Sequence, residues 1–75
     1  MQYELPTPSH VSINVYDVMG RRVTTLVNEN KEAGFHTVTW NGRNDQQKFV
    51  PSGIYIYRLE NESGLNLSKP MVLLK

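Results

Sequence analysis

Val11-Ser-Ile-Asn-Val-Tyr-Asp-Val-Met-Gly-Arg-Arg-Val23 decides the fold class of this chain. Val11, Ile13 and Val15 alternate with Ser12, Asn14 and Tyr16, the two-residue period of a strand with one buried face. The alternation stops at Asp17-Val-Met-Gly20, where glycine takes the positive φ of a tight turn without steric cost. Arg22-Val-Thr-Thr-Leu-Val27 then resumes in extended, β-branched style. A β-hairpin is written locally. Downstream, Trp40-Asn-Gly-Arg-Asn-Asp45 and Val50-Pro-Ser-Gly-Ile-Tyr-Ile-Tyr-Arg-Leu59 form a second signature.

Outward from the hairpin, seven extended segments are predicted, at residues 1–5, 11–17, 22–28, 36–40, 48–50, 53–60 and 65–74. Turn signals separate them at Pro6-Thr-Pro8, Met19-Gly20, Glu32-Ala-Gly34, Asn41-Gly42, Pro51-Ser-Gly53 and Asn61-Glu-Ser-Gly64. Short strands punctuated this regularly predict an all-β fold, a small antiparallel sandwich. Residues 28–33 are polar and read as a loop. Ile54, Ile56 and Arg58 share one face of their strand, and Tyr55, Tyr57 and Leu59 the other. His36, Val38 and Trp40 are expected on one face of another strand, with Trp40 as the core anchor. Pro70 cannot donate a ladder hydrogen bond, which places the last strand at a sheet edge or interrupts it there.

Residues 1–75 make one domain, with no internal repeat or linker. A domain this small buries only about 60% of the surface its unfolded chain exposes. It has no cysteine, so sheet packing must hold it without disulfides. A net charge of +1 from eight scattered basic residues argues against nucleic acid, which demands a basic face. No apolar run approaches the roughly 20 residues of a spanning helix, so membrane insertion is not expected. Met1-Gln-Tyr-Glu-Leu-Pro6 has no signal-peptide pattern. If the domain is exported, its export signal lies on a longer parent chain or elsewhere.

No residue set demands catalysis, a metal or a cofactor, and an enzyme is not expected. Asn41, Asn44 and Asp45 do not follow the spacing of the twelve-residue calcium loop and read as Asx-turn residues. His10 and His36 have no ligand-spaced partners. Ser9, His10 and Asp17 contain triad residue types with nothing to orient them. Trp40, Tyr16, Tyr55 and Tyr57 could stack on sugars, but strand aromatics more often pack across strands and into cores.

The two signatures together resemble the C-terminal sorting domains of type IX secretion cargo, and the related immunoglobulin-like domain of the flagellar hook-capping protein. The match is carried by Tyr3-Glu-Leu-Pro6, Val15-Tyr-Asp-Val-Met-Gly-Arg-Arg-Val23, Leu26-Val27, Ala33-Gly-Phe-His-Thr-Val-Thr-Trp40, Asn41-Gly-Arg43, residues 50–59 and Lys69-Pro-Met-Val-Leu-Leu-Lys75. The motif positions it implies as framework are Tyr16, Asp17, Gly20, Gly34, Trp40, Gly42, Gly53 and Tyr55. Three features depart from the pattern. A Pro-Asn-Pro segment does not precede the match, Gln47 stands where the loop usually has glycine, and Pro70 falls inside the terminal strand.

The resemblance implies a domain at the end of a larger exported protein, recognised by the outer-membrane translocon. A sortase-like surface protease would then remove it and attach the upstream cargo to the cell surface. The expected route runs through the periplasm to the outer-membrane surface or the medium. Lys69, Met71, Val72, Leu73, Leu74 and Lys75 are the expected recognition residues. An unpaired edge beside Pro70 would offer backbone groups to the partner. The leading reading is therefore a non-catalytic sorting signal. The alternative is a structural immunoglobulin-like spacer, with carbohydrate binding behind both.

Overall fold

Six strands follow one another in the computed structural model, which describes residues 1–74: β1 (Gln2–Leu5), β2 (Ser9–Asp17), β3 (Arg22–Lys31), β4 (Gly34–Thr37), β5 (Gly53–Asn61) and β6 (Asn66–Leu73). The alternation that opens the chain's reading builds β2, whose Val11, Ile13 and Val15 are fully buried. β2 sits inside a four-stranded antiparallel sheet of order β3-β2-β5-β6, and β1 pairs with β4 in a second, two-stranded sheet. The described residues contain no helix. The architecture is a small immunoglobulin-like β-sandwich.

The core lies between the sheets in two clusters. Tyr3, Leu5, Val11, Ile13 and Leu59 fill the half covered by β1 and β4. Val15, Trp40 and Tyr55 fill the other half, with Val23, Val50, Met71 and Leu73 against them. No strand of the second sheet reaches that half; the segment 38–52 covers it instead. Trp40 anchors this segment, as expected from its size. Its ring meets Tyr55 edge-on at 5.0 Å, and its Nε1–H donates to the Arg43 carbonyl at 2.9 Å.

Three boundaries differ from the sequence reading, and the last strand follows it. β3 runs on through Asn28, Glu29 and Asn30, where polarity suggested a loop, because these residues pair with Ser12, Val11 and His10. An edge strand needs no apolar outer face, so ladder pairing overrides the polar composition. β4 ends at Thr37, so Val38 and Trp40 lie beyond it; Val38 exchanges backbone hydrogen bonds with Met1 at 2.8 Å before the chain leaves to cover the core. The segment expected at residues 48–50 is reduced to a bridge between Arg43 and Phe49. β6 is continuous through Pro70, at the sheet edge as its proline requires.

The β2–β3 register slips between Ile13 and Asn14 and again between Val15 and Tyr16. The skipped residues on β3 are Leu26 and Val23, and both pack on the core. Each bulge thus returns an apolar side chain to the interior while sharpening the twist.

Candidate functional site

Three tight hairpins share one design. Asp17, Asn44 and Asn61 each head a turn in which their own carbonyl accepts the backbone N–H three residues on, from Gly20, Gln47 and Gly64. Their backbone N–H groups donate to the carbonyls of Arg21, Lys48 and Leu65. In each, one side-chain oxygen accepts two further backbone N–H groups: Met19 and Arg21 for Asp17, Gln46 and Lys48 for Asn44, Ser63 and Leu65 for Asn61, all within 3.1 Å. This is the three-residue hairpin in which the fourth position is left-handed and favours glycine. Gly20 (φ 85°) and Gly64 (φ 91°) satisfy it, and Gln47 occupies it at φ 63°. The spacing Asx-x-x-Gly at 17–20 and 61–64 could have exposed the motif from sequence; Gln47 hides its third copy.

Of the expected framework positions, Asp17 and Gly20 belong to the first of these hairpins. Asp17 also accepts from Arg21 Nε at 3.0 Å. The Arg21 N–H groups and guanidinium hold its carboxyl below the ordinary aspartate range. Asn41 caps its own turn by accepting from Arg43 N at 3.1 Å. Asp45, read as an Asx-turn residue, instead pairs with Arg22 at 3.1 Å. Gly42 has φ 79°, and a Cβ there would stand 3.5 Å from the methyl groups of Leu73. Tyr55 is buried, its hydroxyl donating to the Pro51 carbonyl at 2.7 Å. Gly34 opens β4 and Gly53 opens β5. Tyr16 alone faces outward, beneath the Arg58 guanidinium at 5.4 Å.

The structure does not assemble the other candidate constellations. Ser9 and Asp17 stand at opposite ends of β2, roughly 27 Å apart at strand rise. The His10 ring lies between Asn28 Oδ1 at 2.8 Å and Asn30 Oδ1 at 3.2 Å, and His36 stacks on Tyr3 at 5.2 Å. Among the described residues no group of three metal-ligating side chains converges. Trp40 and Tyr55 are in the core while Tyr16 is on the opposite face, so the aromatics form no common platform.

The last strand divides the expected recognition residues. Met71 and Leu73 turn inward against the Trp40 cluster, half-buried. Val72 and Leu74 are 67% and 82% exposed, and Lys69 is exposed while paired with Tyr57. Lys75 lies outside the described residues. Pro70 pairs with Ile56, and since it has no N–H it must turn its nitrogen to the free edge. The edge therefore lacks a donor at its middle. Pro70 guards the strand against added partners at that point, while the stretch around Val72 stays open.

Beside that stretch, the β2–β3 turn and residues 50–54 enclose a groove of about 620 Å³ lined by Val18, Met19, Val23, Val50, Pro51 and Ile54. Ile54 pairs with Val72, so groove and strand edge are continuous.

Residues 1–64 match the model of the FlgD Ig-like domain. The chain belongs to that family. Comparison with the curated proteins and with the solved structures gave no match. The family match ends inside the β5–β6 turn, so all of β6 lies beyond it although it pairs along the whole of β5.

Proposed function

We propose that this FlgD Ig-like domain is a non-catalytic structural module of an exported protein, a rigid spacer rather than an enzyme. The observation that carries the reading is the family relation across residues 1–64, the span that contains β1 to β5 and every framework motif. Hairpins each closed by four hydrogen bonds and a tryptophan-anchored segment suit a module whose work is to hold shape.

A second reading is the type IX sorting signal, with the secretion translocon and a sortase-like protease as partners and the outer-membrane surface as destination. What favours it is β6, which lies past the family match and leaves Val72 and Leu74 exposed at the sheet edge. The test fuses a reporter upstream of the domain in a host carrying the type IX machinery. A spacer leaves the reporter undelivered. Delivery by the intact domain, lost in Val72→Ser/Leu74→Ser while a native-like melt is kept, replaces the spacer reading with sorting. Leu73→Ala is the folding control, because it opens the Trp40 cluster without touching the exposed pair.

A further inference from the structure

The charges of this nearly neutral chain separate along its length. The strands run between two ends of a body 36 Å long. The turns at 6–8, 32–33 and 61–65 form one end, and the turn at 18–21 with segment 38–52 forms the other. All five glutamates, Glu4, Glu29, Glu32, Glu60 and Glu62, lie toward the first end, and among the described residues Lys31 is the cation placed there. Lys31 is already bonded to Glu29 at 2.9 Å. The second end holds Arg21, Arg22, Arg43 and Lys48 against two carboxylates; Asp17 pairs with Arg21 and Asp45 with Arg22, so Arg43 and Lys48 carry the surplus positive charge.

Apolar exposure collects at the second, cationic end. Met19 is 76% exposed and Val18 67%, and both line the groove that Ile54 and Pro51 complete. Single exposed apolar residues are ordinary, but a contiguous set around a groove with a charged rim marks an interaction site.

We propose that the apolar, net-cationic end binds the acidic end of a second copy, head to tail. Both halves of the complementarity are present on one molecule. The β5–β6 turn, carrying Glu62, would meet the groove, and Glu32 would face the surplus positive charge of that end. The contact joins two different surfaces, so it repeats rather than closing as a symmetric dimer.

Sedimentation velocity across a concentration series tests it, at ~0.01 M and ~0.15 M salt, where the screening length falls from ~30 to ~8 Å. The sedimentation coefficient should rise with concentration at low salt and much less at the higher. Met19→Glu sets a carboxylate in the groove and halves the surplus positive charge of that end, and Glu32→Lys/Glu62→Lys brings the acidic end to neutrality. Each variant alone should stay monomeric, with a wild-type melt, and an equimolar mixture should associate again. A wild-type chain monomeric at both salts overturns the proposal. So does association by either variant alone, or a mixture that fails to assemble.

Discussion

Gln47 shows how much one backbone position matters. An L-residue held left-handed costs about 1–2 kcal/mol, and glycine escapes that while losing more entropy on folding. Gln47→Gly should therefore stabilise the domain by about 1 kcal/mol, raising Tm by roughly 4–8 °C for a chain of this size. A thermal melt decides it; no gain would mean that the left-handed turn is not strained. Asp17 makes a pH prediction. Its carboxyl is held below the ordinary value by the Arg21 and Met19 N–H groups and the Arg21 guanidinium. A depressed folded value means stabilisation that is present above the unfolded value of about 3.9 and is lost as pH falls through the folded one. Asp17→Asn keeps an oxygen for the two N–H groups and removes the charge. Its urea midpoint should sit below wild type near neutral pH and converge with it below about pH 4. Glu29, lowered by Lys31, titrates in the same direction in both proteins and cancels in the comparison.

At the scale of elements, the segment 38–52 replaces missing strands of the second sheet with one indole. Trp40 is 9% exposed and touches the side chains that β2, β5 and β6 send to that half of the core. Trp40→Ala should cost about 3–5 kcal/mol, against a total of about 5–15 for a domain. The variant should be largely unfolded at 37 °C by near-ultraviolet circular dichroism. A melt within a degree or two of wild type would mean that the segment is held without the ring. Trp40→Phe keeps much of the volume but leaves the Arg43 carbonyl without its donor, so it should cost about 1–3 kcal/mol. This anchor was legible from residue type alone. Its setting was not: the expected strand through residue 40 stops at Thr37, and after Val38 bonds to Met1 the chain leaves the sheet to cover the core.

At the scale of the whole molecule, the contacts that close the sandwich are distant in sequence. β2 pairs with β5 across more than forty residues, and β1 reaches β4 across some thirty. Such topology folds in about milliseconds to seconds, whereas a helical chain of this length takes microseconds to milliseconds. Stopped-flow refolding followed by Trp40 fluorescence should show a phase in that slower range, and microsecond recovery would contradict the pairing order. The period-two pattern of 11–17, the turn glycines and the β-branched runs determined by themselves that the chain is an antiparallel sandwich, because strand alternation and turn chemistry are local properties. They also marked Trp40 as a core residue and Pro70 as an edge residue, since size and a missing N–H act in any context. Only the tertiary structure decided that polar residues 28–31 are strand, that Met71 and Leu73 are core while Val72 is surface, and that Pro70 closes the edge rather than opening it. Each of these depends on which strand lies alongside. Only it gathered the glutamates at one end and the arginines and bare aliphatic side chains at the other, because end-to-end placement follows from the path of the whole chain.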